Sequence, residues 1–179
     1  MNSFRLEIII GCMYSGKSTE LMRRCLRYKA IGKNILFVNH INDTRTDNSI
    51  KTHEGTTYDA FKCLNLLELT NTVDLNKYDV IGIDEGQFFP DLKEFILYIE
   101  KYNKIVIVAG LDGDYQRKPM GQILEIIPLC DTVDKLTAMD MVDCNGTAGL
   151  FTKRIVNNDS QLLIGGKDKY MAVSRKNFY

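Results

Sequence analysis

Gly11-Cys12-Met13-Tyr14-Ser15-Gly16-Lys17-Ser18 fits the spacing G-x-x-x-x-G-K-[ST], which suits a loop that holds a polyphosphate. Glycines let the backbone curl until successive N–H groups converge on an anion, and a following helix adds its positive end. Lys17 can place a cation on the β- and γ-phosphates, and Ser18 can offer its hydroxyl to Mg²⁺. A second constellation is Asp84-Glu85, at the end of the apolar run from Tyr78 to Ile83. One carboxylate at the end of a strand can hold Mg²⁺ beside the phosphates. Another beside a hydroxyl nucleophile can take its proton during phosphoryl transfer. Side chains alternate along a strand, so the two acids are expected to point apart, one toward metal and one toward a second substrate. These residue types imply a nucleoside triphosphate and a phosphoryl acceptor.

Such groups need strands and helices to hold them. Phe4 to Ile10, Asn34 to Val38, Tyr78 to Ile83, Lys104 to Ala109 and Thr132 to Leu136 are expected to be strands. Leu21, Met22, Cys25 and Leu26 recur at helical spacing after the glycine-rich loop. Arg23, Arg24, Arg27 and Lys29 then lie on a solvated opposite side, and Gly32 ends the helix. Pro90 opens a helix with Phe95, Ile96 and Ile99 on one face, and Pro119 to Ile127 reads as a shorter one. Asp59 to Leu69 is weakly helical, and His40 to Thr57 is polar and aperiodic, as a surface loop would be. Strands alternating with helices predict an α/β fold: a P-loop domain over residues 1–136, with a parallel sheet flanked by helices. Residues 137–179 are expected to form a small appended lobe with strands at Phe151 to Val156 and Gln161 to Ile164.

Composition excludes other classes. Acidic and basic residues number 23 each in 179 residues, so no overall basic field points to nucleic acid or an anionic membrane. No apolar run approaches the roughly 18 residues of a membrane span, and no charged-then-apolar leader opens the chain. The five cysteines are scattered without a C-x-x-C pair, which reads as reduced thiols in a cytoplasmic protein. Asn76-Lys77-Tyr78-Asp79 resembles a guanine-reading N-K-x-D motif but precedes the acid-bearing strand, so a GTPase fails on order. Asp112 and Asp114, flanked by Gly110 and Gly113, read as turn residues rather than metal ligands.

The chain resembles the type II thymidine kinases over nearly its whole length. The resemblance rests on Met13 to Glu20, Asp43-Thr44-Arg45, Ile81 to Asp91, Leu111-Asp112-Gly113, Gln116-Arg117-Lys118-Pro119 and Ile164-Gly165-Gly166. It implies transfer of the ATP γ-phosphoryl to the 5′-hydroxyl of thymidine, a step in DNA precursor synthesis. Glu85 would be the general base, Lys17 and Arg45 would offset charge on the transferring group, and Ser18 and Asp84 would hold Mg²⁺. The ATP-binding set would be Gly11, Cys12, Met13, Tyr14, Ser15, Gly16, Lys17, Ser18, Asp43, Arg45, Asp84 and Gln87. The nucleoside would meet Met13, Phe88, Leu111, Tyr115, Thr152, Gln161, Leu162, Leu163, Ile164, Gly165 and Tyr170, the 161–165 stretch forming a lasso that reads thymine through peptide groups. Tyr115 and Met120 stand where the family commonly has phenylalanine, and both keep an apolar wall. Family members are commonly homotetramers inhibited by dTTP.

One departure is plain. The family's small lobe is usually tied by a structural zinc on two C-x-x-C pairs, and the matching positions here are Asp140, Asp143, Ser174 and Asn177. A closed tetrahedral zinc site wants Cys and His, so no structural zinc is expected. An oxygen-bound cation at Asp140 and Asp143 would need more oxygens than two carboxylates offer. The lobe is then expected to fold without metal and to be ordered mainly by bound nucleoside.

Overall fold

Leu6, Ile8 and Ile10 point to one side of the first strand and Glu7 and Ile9 to the other, yet all are buried. A strand covered on both faces belongs in the middle of a parallel sheet, and that is where it lies. The computed structural model describes residues 4–43, 49–51 and 57–179. In chain order the elements are β1 (Arg5–Gly11), α1 (Lys17–Lys29), β2 (Ile35–His40), β3 (Ser49–Lys51), β4 (Thr57–Asp59) and β5 (Phe61–Cys63). Then come α2 (Leu69–Thr72), β6 (Val80–Ile83), α3 (Leu92–Ile99), β7 (Ile105–Leu111) and β8 (Thr132–Leu136). The chain finishes with β9 (Ala138–Met139), β10 (Ala148–Gly149), β11 (Phe151–Arg154), β12 (Tyr170–Val173) and α4 (Arg175–Phe178).

Six strands form the central sheet in the order β5-β2-β6-β7-β1-β8, every pair parallel. This bears out the expected α/β class and parallel sheet. Leu6, Ile8, Ile10, Ile81, Ile83, Val106 and Val108 face α3, through Leu92, Phe95, Ile96 and Ile99. Ile9, Phe37, Val80, Ile107 and Ala109 face α1, through Leu21, Met22 and Cys25. Burying chains of that size contributes about 1.5–3 kcal/mol each, so the two layers hold the sheet's carboxyl edge rigid. The ends of β1, β2, β6, β7 and β8 all lie along that edge, where doubly wound sheets place their ligands.

Several expectations need correcting. Asp59 to Leu69 is helical only at its end: Phe61 and Cys63 pair with Val38 and His40, extending the sheet by an edge strand, and a 3₁₀ turn at Leu66–Glu68 leads into α2. The expected surface loop from His40 to Thr57 falls partly outside the described residues, but β3 within it pairs antiparallel with β4. In place of the helix expected over Pro119 to Ile127 the chain forms only a 3₁₀ stretch, Ile123–Leu129, with Pro128 inside it. Arg24 does not lie on a solvated face. It bonds Glu7 (3.0 Å), Glu20 (2.8 Å) and Asp134 (2.8 Å), joining α1 to β1 and β8.

Beyond β8 the chain forms two small antiparallel pairs, β9 with β10 and β11 with β12. The second strand of the latter is Tyr170–Val173 rather than the expected Gln161 to Ile164. Residues 155–169 form a loop several of whose carbonyls are taken by side chains: Lys169 Nζ donates to Ile164 O (2.6 Å) and the Tyr170 hydroxyl to Leu163 O (2.7 Å). No helix among the described residues is long and apolar enough to cross a membrane.

Candidate active site

β1 delivers Gly11 to the carboxyl edge with φ +151°, and a Cβ there would collide with the Leu136 carbonyl oxygen. The neighbouring strand therefore excludes a side chain at the loop's first position. Tyr14 (φ 66°) and Gly16 (φ 83°) are also left-handed, which curls the backbone before α1 begins at Lys17. Gly16 is the N-cap of α1 and no side chain caps it, so the helix presents its leading amides to an anion. The Lys17 ammonium donates to Cys12 O (2.6 Å). Burial pushes its pKa down, while the charges of Glu85, Asp84 and Asp112 push the other way.

On the far side of β7, β6 ends at Ile83. Asp84 is 2% exposed, and its Oδ1 accepts from Glu85 N (3.0 Å). Glu85 is left-handed, φ 54°. Strand alternation is therefore not what separates the two acids: the chain turns after Ile83, leaving Asp84 buried and Glu85 on the cavity wall. Gln87 fixes the result. Its Nε2 donates to Glu85 Oε2 (2.6 Å) and its Oε1 accepts from Leu111 N (2.9 Å), so β7 sets the angle of the Glu85 carboxylate.

The cavity, about 310 Å³, lies between the glycine-rich loop, the turn after β6, the loop after β7 and the 161–170 segment, and that volume is in the range of small-molecule sites. Met13, Phe88, Leu111, Tyr115, Thr152, Gln161, Leu162, Leu163, Ile164, Gly165 and Tyr170 all line it, with Met120 beside them. Tyr14, Gly16, Lys17, Ser18, Asp43 and Glu85 line it too, so groups expected at the phosphates and at the nucleoside share one space. Gly11, Cys12, Ser15, Asp84 and Gln87 are not on its wall. Gln87, expected among the ATP contacts, spends its amide on Glu85 and Leu111 instead. Arg45 lies outside the described residues.

Two further groups line the cavity without a signal in the sequence. Asn42 follows the buried His40, whose Nδ1 accepts from Asn42 N (3.1 Å). His40 packs against Phe88 (5.6 Å) and Phe89 (4.9 Å), and burial lowers its pKa. Asp114 behaves as the expected turn residue, accepting from Gln116 N (2.8 Å) and Lys118 N (2.9 Å), but its other oxygen accepts from Gln161 Nε2 (2.9 Å). The neighbouring Asp43 is buried and accepts from Asn39 Nδ2 (2.8 Å).

The last strands sit directly on the glycine-rich loop. Met13 N donates to Thr152 Oγ1 (3.0 Å), the Tyr14 hydroxyl to Tyr170 O (3.2 Å) and the Cys12 thiol to Gly149 O (3.2 Å). Ser18, in the first turn of α1, and Asp84 are hard oxygen donors. They fit Mg²⁺, which takes few protein ligands and completes its shell with phosphate and water.

Asp140, Asp143, Ser174 and Asn177 do come together, around a carboxylate. Asp140 accepts from Asp143 N (2.7 Å), Val142 N (3.2 Å), Ser174 N and Asn177 Nδ2 (3.0 Å). Both of its oxygens face N–H donors, so the pair Asp140 and Asp143 does not fit an oxygen-bound cation. Among the described residues no cluster of three or more His, Cys, Asp or Glu could hold a metal ion.

Known proteins place the chain in a family. A family model described as thymidine kinase matches residues 4–178. The chain is 44% identical to the thymidine kinase of Raccoon poxvirus, over 98% of this chain and 97% of that protein. It is 43% identical to the thymidine kinase of Vaccinia virus (strain Western Reserve), with the same coverage. It is also 42% identical to thymidine kinase 1 of Dictyostelium discoideum, over 96% of this chain and 76% of that protein. The chain belongs to the thymidine kinase family.

Proposed function

We propose that this protein transfers the γ-phosphoryl group of ATP to the 5′-hydroxyl of thymidine, giving dTMP and ADP, in cytoplasmic salvage of DNA precursors. Family membership supports the reading, and one geometric observation carries it. Glu85, Lys17 and Ser18 line the same cavity as the apolar and peptide-rich wall formed by Met13, Phe88, Leu111, Tyr115 and residues 161–165.

In this reading Gly11 to Ser18 wrap the triphosphate, with the amides at the start of α1 and the Lys17 ammonium facing its oxygens. Ser18 and Asp84 would hold Mg²⁺, which when bound offsets charge on the β- and γ-phosphates. Glu85 accepts the proton of the 5′-hydroxyl as that oxygen attacks, and Gln87 keeps the carboxylate from swinging away. Arg45, near the buried Asp43 in the chain, adds a cation for the transferring group. Residues 1–136 hold ATP, and residues 137–179 cover the nucleoside. Thymidine's ring sits against Met13, Phe88, Leu111 and Tyr115, and the peptide groups of 161–165 meet its polar edge. A homotetrameric assembly and inhibition by dTTP follow from the family resemblance alone.

The test is direct: incubate the protein with Mg·ATP and each deoxynucleoside in turn, and separate the products. Formation of dTMP in preference to the purine monophosphates is expected. ATP hydrolysis without any nucleoside monophosphate would overturn the reading in favour of a nucleotide-driven switch.

A further inference from the structure

Residues 155–169, of which 161–166 wall the cavity, have no strand or helix of their own, so something other than a ladder must hold them in place. That support converges on one side chain outside the cavity. The Arg154 guanidinium, at the end of β11, donates to Asn158 O (2.7 Å), Ser160 O (2.6 Å) and Gln161 O (3.1 Å). It also donates to the Tyr170 hydroxyl (2.8 Å), which in turn donates to Leu163 O (2.7 Å). Its Cζ lies over the Tyr115 ring, 3.7 Å from the ring centre, and the Tyr115 hydroxyl donates to Asp159 O (3.3 Å).

Three features set this arrangement apart from a surface arginine. Its hydrogen-bond partners are neutral oxygens, and among the described residues it makes no ion pair, so its charge is spent on peptide dipoles. Its partners come from both walls of the cavity: Tyr115 from the loop after β7, and Gln161 and Tyr170 from the last segment. Its geometry is one that only a planar fork with several donors can satisfy while stacking on a ring; an ammonium cannot. Charge-assisted bonds of this kind are stronger than neutral ones, and several from one rigid group fix several backbone positions at once.

We propose that Arg154 is a positioning residue for the nucleoside: its guanidinium holds the 158–163 backbone and the Tyr115 ring in the register that closes the base pocket. This rests on the thymidine kinase reading above and adds to it a residue that need not touch substrate. Among the described residues Arg154 bonds neither the glycine-rich loop nor Glu85 and reaches that loop only through Tyr170, whose carbonyl accepts from the Tyr14 hydroxyl, so its loss should fall chiefly on nucleoside affinity.

The experiment compares parent, Arg154→Ala and Arg154→Lys by steady-state kinetics and by amide hydrogen exchange over residues 156–165. The expected result is a thymidine KM raised about tenfold or more in both variants, with the ATP KM within about threefold of the parent. Exchange across 156–165 should speed up in the nucleoside-free variants. If Arg154→Ala fails to fold, Arg154→Lys retains the stem and the charge and still lacks the fork, so it decides alone. An unchanged thymidine KM in a folded Arg154→Lys enzyme would overturn the proposal, as would unchanged exchange in that segment. A parent that phosphorylates no nucleoside would instead overturn the kinase reading, leaving the exchange comparison to judge Arg154.

Discussion

Replacing Gln87 with Met keeps the volume of a buried side chain, 4% exposed, and deletes two hydrogen bonds. One is the 2.6 Å bond to the Glu85 carboxylate, the other the 2.9 Å bond from Leu111 N. A bond to a charged group is worth about 1.5–3 kcal/mol and a neutral one about 1 kcal/mol, so the folded state should lose roughly 2–4 kcal/mol. For a chain of this size that lowers the melting temperature by roughly 4–16 °C. The kinetic effect comes from the first bond alone. If it holds Glu85 in the productive direction with about 1.5–3 kcal/mol, its loss slows the chemical step by about 10- to 150-fold. Thymidine and ATP should bind as before, because Gln87 is not on the cavity wall. The assay is kcat and both KM values at several temperatures below the melting transition, beside a thermal melt. A Gln87→Met enzyme that melts early but turns over at the parent rate would refute the reasoning, since Gln87 would then support the fold and not Glu85.

Three other outcomes are expected. Hydrogen bonds from Asp143 N and Ser174 N hold the Asp140 carboxyl well below the usual carboxylate range. Its stabilising effect should be complete above about pH 4 and fade as pH falls further. Asp140→Ala should lower the melting temperature at neutral pH and flatten the acid limb, as read by melts from pH 7 to pH 2. His40 is buried neutral with a lowered pKa. Stability should therefore decline as pH drops below about 6.5, the unfolded value, with an NMR titration midpoint for this ring on the acid side of 6.5. Arg24→Ala strips partners from the buried Glu7 and from Glu20, whose pKa its arginine neighbours hold at about 2. Urea unfolding should show a loss of about 3 kcal/mol, the low end for removing one partner of a buried ion pair, with kcat unchanged.

The parts of the site that could be read without a structure are those whose chemistry is local. Gly11 to Ser18 carries its loop and helix start in consecutive residues, and the acids after β6 follow an unmistakable apolar run. What escaped depends on partners remote in the chain. Gln161 to Ile164 has a strand-like composition, yet its carbonyls go to Arg154, Lys169 and Tyr170 rather than to a ladder. The split between Asp84 and Glu85 comes from a left-handed turn, which no pleat rule anticipates. Gln87 acts through a side-chain bond that has no signature in spacing. Arg24 could have been found, because Glu7 stands inside an apolar strand and a carboxylate there demands a cation. Asp140, Asp143, Ser174 and Asn177, which the resemblance matches to metal-ligand positions, meet in space around an anion accepting N–H bonds, an arrangement that only the geometry displays.

The decisive measurement is turnover of Glu85→Gln with Mg·ATP and thymidine, set beside nucleotide affinity of the same protein. A carboxylate that takes the 5′-hydroxyl proton predicts a fall in kcat of about 10²–10⁴-fold with ATP affinity within a few-fold of the parent. Turnover equal to the parent would contradict the assignment of this residue as the base.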